Sequence, residues 1–259
     1  VLRVEGVHKR YRHGPPVLAG VDLALGPGAP VVLAGGNGSG KSTLLRIVAG
    51  CAVPTAGRVT GRPAVVGYLP DRFPAQLRLP ADAYLRHLAR IRGVRPEPGL
   101  LDRLGFAGPR REPMARLSKG NAQKVGLAQA LGAGAGLIVL DEPWAGLDAA
   151  AADTLADLLA EAAAEATVLV TDHTGRAARL RGARHLRLAG GRVGEAPPPP
   201  PAVAIVLRCP DAEQVRRRLA PAGRLEGGRL HLHAAPAESD AVLFTALQLG
   251  CSVESVGPA

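Results

Sequence analysis

The sequence predicts an α/β protein: a mixed, mainly parallel sheet with an antiparallel β edge, a helical subdomain and a small C-terminal α+β appendage. Short apolar runs such as Pro30–Ala34 and Leu137–Leu140 alternate with segments of helical period, the order of parallel βαβ units. A Gly-rich segment links the first of these runs to a helix. Five successive prolines, Pro197–Pro201, form an extended, stiff spacer and set off a second α/β alternation.

Taken in order, Val1–Val7 and Val21–Leu25 alternate apolar and polar residues, as half-buried strands do. Pro30–Ala34 is continuously apolar and reads as a central strand, followed by a Gly-rich turn and a helix over Ser42–Ala49 that Gly50 ends. Val65–Leu69 is a further short strand. Between Pro80 and Arg116 the period becomes helical, with Tyr84, Leu85, Leu88 and Ile91 on one stripe and Leu100, Leu101 and Leu104 on a shorter one. A helix over Ser118–Leu131 leads into the buried strand Leu137–Leu140. Ala149–Glu165 is an Ala/Leu-rich helix, followed by strand Thr167–Val170, a short helix from His173, and strands Arg184–Leu188 and Gly191–Val193. Beyond the prolines come strand Val203–Leu207, helix Asp211–Leu219, strand Arg229–His233, helix Ser239–Leu249 and strand Ser252–Val256, an order that suggests a small split-βαβ, ferredoxin-like appendage. The expected domains are 1–193, with a helical subdomain over about 72–132, a Pro-rich linker over 194–201 and the appendage over 202–259.

A chain of 259 residues, 47% hydrophobic, is large enough for one substantial core plus an appendage, and is neither disordered nor fibrous in composition. Aromatic residues make up only 3%, so the helices must pack through Leu, Val and Ala. The net charge of +10 is carried by Arg scattered along the chain, which reads as a solvated surface rather than a basic face for nucleic acid or lipid. Without basic–aromatic interleaving or a helix-turn-helix pattern, no nucleic-acid partner is expected. Cys51, Cys209 and Cys251 are far apart with no CxxC, which reads as buried free thiols in a reducing compartment. No apolar run approaches the ~20 residues needed to span a bilayer and no signal peptide opens the chain, so a cytoplasmic location is expected.

Gly35-Gly-Asn-Gly-Ser-Gly-Lys-Ser42 fits G-x-x-x-x-G-K-[ST] and sits between a strand and a helix, as that motif requires. Glycines let the backbone curl so that successive N–H groups point at phosphate oxygens, and the following helix adds the positive end of its dipole. Gly35, Gly36, Asn37, Gly38, Ser39, Gly40, Lys41, Ser42 and Thr43 are therefore the candidate triphosphate site of a P-loop NTPase core. Lys41 is the point charge for the β- and γ-phosphates, and the Ser42 hydroxyl is a ligand for Mg²⁺.

The apolar run 137–140 ends in Asp141 and Glu142. Parallel α/β sheets bind ligands at the carboxyl ends of their strands, which places Asp141 to hold Mg²⁺ through water and Glu142 to polarise an attacking water. Thr171-Asp-His173 ends the neighbouring strand in the same manner, within reach of a γ-phosphate.

Across Val1 to about Val193 the sequence resembles the nucleotide-binding subunit of an ABC transporter. Tyr11, in Val7-His-Lys-Arg-Tyr11, resembles the aromatic that stacks on adenine, and Pro54-Thr-Ala-Gly57 resembles the turn after the first helix. Leu117-Ser-Lys-Gly-Asn121 is similar to the family signature LSGGQ. Val139-Leu-Asp-Glu-Pro143 matches the second nucleotide motif, Ala145-Gly-Leu-Asp148 the loop that crosses the dimer interface, and His173 the switch histidine. The resemblance implies an ATPase, with Glu142 and His173 catalytic. It also implies a homodimer or heterodimer in which ATP lies between one copy's 35–43 loop and Ser118, Lys119, Gly120 and Asn121 of the other. The further partner it implies is an integral membrane permease on a separate chain, with this subunit peripheral on the inner face of the membrane.

Two departures from the family pattern stand out. Gly67-Tyr-Leu-Pro-Asp71 ends in an acid where the family commonly has Gln; ionised Asp71 cannot donate a hydrogen bond but can ligate Mg²⁺. Lys119 and Asn121 replace Gly and Gln of the signature. The Tyr-Leu-Pro-acid loop and the appendage resemble bacterial drug- or polymer-export ATPases. The alternatives are an importer subunit, a soluble non-transport ABC protein acting on ribosomes or DNA, and a regulatory subunit whose appendage senses a small molecule.

Overall fold

The computed structural model describes all residues except 13, 95–96, 98, 133, 173–174, 198–202, 220–222, 235 and 259. The chain divides into two units, residues 1–172 with 180–197, and residues 173–179 with 198–259. His173 and most of the Pro-rich spacer lie outside the described residues.

In chain order the first unit carries β1 (Leu2–Arg10), β2 (Pro16–Leu25), β3 (Val31–Ala34), α1 (Lys41–Ala49), β4 (Ala56–Thr60), β5 (Val66–Leu69), α2 (Ala81–Arg92) and α3 (Gly99–Arg103). It continues with α4 (Lys119–Leu131), β6 (Leu137–Leu140), α5 (Ala149–Ala163), β7 (Thr167–Thr171), β8 (Arg184–Ala189) and β9 (Arg192–Glu195). Two sheets result: an antiparallel one in the order β2-β1-β4, and a six-stranded one in the order β5-β6-β7-β3-β8-β9. The latter is parallel except for β9, which pairs antiparallel with β8.

β1 buries Leu2, Val4 and Val7, which breaks strict alternation. A register irregularity between Val4 and Val7 supplies the extra residue, and the Gly6 N–H there donates to the Asp22 carboxylate at 2.7 Å. β6 and β7 are buried at every position, as strands covered on both faces must be. α1 buries Leu44, Leu45, Ile47 and Val48 in one core shared by both sheets.

α4 packs along β5 so closely that a Cβ on Gly67 would lie 1.8 Å from the Ala130 carbonyl oxygen. Gln129 Nε2 donates to the Tyr68 carbonyl at 2.5 Å, and Arg92 of α2 donates to the Gln129 carbonyl at 2.6 Å. α2 differs from its expected apolar stripe. Ala81 and Ala89 are its buried residues, Tyr84, Leu85 and Leu88 are half-buried, and Ile91 is 81% exposed. Leu100, Leu101 and Leu104 are buried.

The second unit holds β10 (Val203–Arg208), α6 (Ala212–Arg218), β11 (Arg224–Glu226), β12 (Arg229–Ala234), α7 (Pro236–Gln248) and β13 (Ser252–Pro258), with an antiparallel sheet in the order β11-β12-β10-β13. β12 lies between β10 and β11, antiparallel to both, which is the split βαβ arrangement. Ile205, Leu207, Leu230, Leu232, Val215, Val242 and Ala246 form its core. Arg208 pairs with Ser252, which sets the next residues opposite each other. Cys209 and Cys251 are accordingly joined in a disulfide, with Cα atoms 4.2 Å apart. This corrects the reading of all three cysteines as buried free thiols, and Cys51, which is free, is exposed. Among the described residues no helix is long and apolar enough to cross a membrane.

Candidate functional site

Because β5, β6, β7 and β3 run parallel, the segments that follow them leave from one edge of the sheet. Those segments carry Asp71, the pair Asp141–Glu142, Asp172, and the loop that begins at Gly35. Sheets of this class bind ligands at that edge.

The loop turns on Gly38 and Gly40, both with positive φ (74° and 104°). Gly40 is the residue before α1 and offers no side-chain cap, so the first-turn N–H groups of the helix await another acceptor. A Cβ at Gly40 would lie 2.8 Å from Val17 Cγ1, so the close approach of β2 also demands glycine. Lys41 Nζ donates to the carbonyls of Gly35 and Gly36, at 2.7 and 3.2 Å. Ser39 Oγ is buried in the loop and has no hydrogen-bond partner among the described residues. An ammonium held over a Gly-rich turn, an orphaned hydroxyl and uncapped helix N–H groups together fit a polyphosphate. Ser42 and Thr43 follow in the first turn of α1, and the Tyr11 hydroxyl reaches Thr43 Oγ1 at 3.4 Å. Tyr11 is 47% exposed beside the loop, with Lys9 Nζ over its ring 5.0 Å from the centre.

Asp141 is 2% exposed and Thr171 is fully buried. Thr171 Oγ1 donates to Asp141 Oδ1 and accepts from the Glu142 N–H, each at 2.8 Å. Glu142 has φ of 53°, a left-handed conformation rare for a residue with a side chain. The donors at this edge are hard oxygens, and among the described residues no three His, Cys, Asp or Glu side chains cluster as a cation cage. That donor set suits Mg²⁺, which takes one or two protein ligands and completes its shell with phosphate and water. Asp71 is exposed, two residues beyond Leu69, whose carbonyl accepts from the Asp141 N–H at 2.9 Å.

A second cluster forms at the start of α4. Ser118 is its N-cap, with Oγ accepting from the Asn121 N–H at 3.2 Å. Asn121 turns its side-chain oxygen back to the Ala107 N–H at 3.2 Å, while Ser118 and Lys119 are exposed. The segment after Glu142 packs here. Gln123 donates to the Pro143 carbonyl at 3.1 Å, and a Cβ on Gly120 would lie 3.0 Å from the Gly146 carbonyl oxygen. Asp148 caps α5 through the Ala151 N–H and receives the buried Lys124 ammonium at 3.0 Å. Burial pushes the Asp148 carboxyl up, but the Ala151 N–H and the Lys124 ammonium outweigh it and hold it below its ordinary value.

The structure thus brings Gly35–Thr43 together with Tyr11, and places Asp71 and Asp141–Glu142 at the same sheet edge. It gathers Ser118–Asn121 with Asp148 separately, along the segment that leaves Glu142. Sequence reasoning missed the part played by Thr171, whose hydroxyl meets its partners only through the β6–β7 register.

The ABC transporter family model matches residues 18–79. The chain is 34% identical to the lipoprotein-releasing system ATP-binding protein LolD 1 of Caulobacter vibrioides over 228 residues, covering 74% of this chain and 94% of that protein. It is 42% identical to the zinc import ATP-binding protein ZnuC of Pseudomonas aeruginosa over 141 residues, covering 53% of this chain and 52% of that protein. The match thus spans about half the length of the zinc import protein. Among solved structures, an ATP-binding subunit of an ABC transporter superposes with a TM-score of 0.68 at 25% identity, over 84% of this chain and 92% of that one. A bacterial ABC transporter cassette solved as a dimer gives 0.66 at 25% identity, over 75% and 97%. With a relative matched along almost its whole length and the nucleotide-motif geometry in place, the chain belongs to the family of ABC transporter ATP-binding subunits.

Proposed function

We propose that the chain binds Mg-ATP on Gly35–Thr43 and hydrolyses it to drive transport through a separate membrane permease. The reading is carried by one juxtaposition: the phosphate loop after β3 and the carboxyl pair after β6 leave the same edge of the six-stranded sheet, from strands that run parallel. Lys41 exchanges its loop carbonyls for β- and γ-phosphate oxygens, and Tyr11 stacks on the base. Ser42 and Asp141, with Asp71 alongside, would hold Mg²⁺, which would supply charge neutralisation for the transferring phosphoryl group. Glu142 takes the proton of the attacking water, and His173 contacts the γ-phosphate.

Each ATP is completed by Ser118, Lys119, Gly120 and Asn121 of a second copy, or of a related subunit. The exposed Ser118 and the N-terminal N–H groups of α4 face its phosphate, and Asp148 crosses the interface. The subunit is then peripheral on the inner membrane face, held by the permease.

The test is Glu142→Gln, which should bind Mg-ATP as the parent does and lose about 10²–10⁴-fold in turnover. Parental turnover in that variant would sink the assignment. For direction we read export, supported by the lipoprotein-releasing relative that matches along nearly its full length. Import is the second reading, favoured by the more identical but shorter zinc import match. Proteoliposomes containing this subunit and its co-purified permease decide between them by the side on which labelled cargo accumulates.

A further inference from the structure

We propose that Thr171 is a positioning residue for ATP hydrolysis, a single hydroxyl that sets both acidic side chains of the site at once. The inference rests on the hydrolysis reading above.

A threonine hydroxyl carries one donor and two acceptor positions. The Glu142 backbone N–H can only donate, so its 2.8 Å bond occupies an acceptor position of Thr171 Oγ1. The hydroxyl proton is thereby left for the Asp141 carboxylate, also at 2.8 Å. The bond to Asp141 is buried and the bond from Glu142 part-buried, with Thr171 itself fully buried and Asp141 2% exposed, so removing the hydroxyl leaves its partners poorly compensated.

Each bond sets a different acid. The donated proton commits Asp141 Oδ1 and orients the carboxylate plane, which fixes the direction the second oxygen offers to a cation. The accepted N–H anchors the backbone at the residue whose φ of 53° departs from the strand before it. A left-handed conformation in a residue with a side chain costs of order 1–3 kcal/mol and persists only where the surroundings hold it. Its result is that Glu142 leaves the line of β6 in a direction that an extended residue would not take. The branched Cβ of Thr171 also restricts its rotamer within β7, so the hydroxyl is held in place before nucleotide arrives.

Three full-length chains test this: the parent, Thr171→Val and Thr171→Ser, with Glu142→Gln as the inactive control. Thr171→Val keeps the shape and loses both bonds, and its kcat for ATP should fall about ten- to hundredfold with little change in KM. Thr171→Ser should recover kcat to within a few fold. Independently of turnover, amide hydrogen exchange should show the Glu142 N–H protected in the parent and in Thr171→Ser, and unprotected in Thr171→Val. Parental kcat in Thr171→Val overturns the proposal, as does an equal loss in Thr171→Ser. An unprotected Glu142 amide in the parent overturns it even if the valine variant fails to fold. Lack of any ATP turnover in the parent, by contrast, overturns the hydrolysis reading itself.

Discussion

The Lys41 ammonium donates to the Gly35 carbonyl at 2.7 Å, closing the Gly-rich loop upon itself. The same donors are those a triphosphate would claim, so the loop is held in a receiving shape by the group that will do the receiving. Lys41→Ala should weaken ATP binding about ten- to hundredfold, because a charge-assisted contact is lost. Titration calorimetry checks this, and undiminished affinity would remove Lys41 from the site.

Gly40 is closed to side chains on two counts, its φ of 104° and the Val17 Cγ1 atom 2.8 Å from where a Cβ would stand. Gly40→Ala should cost about 1–3 kcal/mol in stability. It should also reduce nucleotide affinity, since the strain falls at the first turn of α1. Urea unfolding and calorimetry read the two effects separately.

Arg92 joins α2 to α4 through the Gln129 carbonyl, and burial lowers its pKa, with Tyr84 offsetting part of the effect. Arg92→Ala should destabilise the first unit by about 2 kcal/mol by orphaning a part-buried carbonyl. Arg92→Lys should recover little of that, because lysine lacks the planar fork that reaches both Gln129 oxygens. Equal melting temperatures for the lysine variant and the parent would contradict this.

Asp148 titrates below its ordinary value in the folded chain. A depressed carboxyl contributes stability that is fully present above the unfolded pKa of about 4 and is lost as pH falls through the folded value. Its side chain is 62% exposed, so solvent screening limits the effect to about half a kcal/mol. Lys124→Met should therefore flatten the stability loss below about pH 4. Melting curves at pH 3 and pH 6 for both chains make the comparison.

The Cys209–Cys251 bond closes a loop with a sequence separation of 42. Reduction, or Cys251→Ser, should destabilise the second unit by about 2–4 kcal/mol. Hydrogen exchange resolved by segment should show the loss in residues 203–258, with residues 31–34 and 137–140 unaffected.

The strands with continuous apolar runs were legible from sequence: β6 spans Leu137–Leu140 as expected, and β3 begins one residue later than expected. Strands without that signal were not. β4 holds Ala-Gly-Arg-Val-Thr and buries no residue fully, so its hydrogen bonds to β1 leave no hydrophobic pattern. β11 is three exposed residues, Arg224–Glu226, defined by its pairing with β12 alone. β1 runs on through His8, Lys9 and Arg10, where composition suggested its end. At the site, the Gly-rich loop and the acid pair follow local motif rules and could be read directly. The Thr171 bridge, the Asn121–Ala107 bond and the disulfide depend on which distant segments become neighbours, and spacing along the chain does not encode that.

The contact between Gly67 and the Ala130 carbonyl also bears on what evolution or a mutagenesis library can sample. A methyl group there would have to push α4 away by well over an ångström, and Gln129, Arg92 and the Tyr68 carbonyl would lose their bonds with it. Codon 67 is therefore not one position among many in β5 but a locked one. Full randomisation at that codon, followed by selection for folded protein, should return glycine alone.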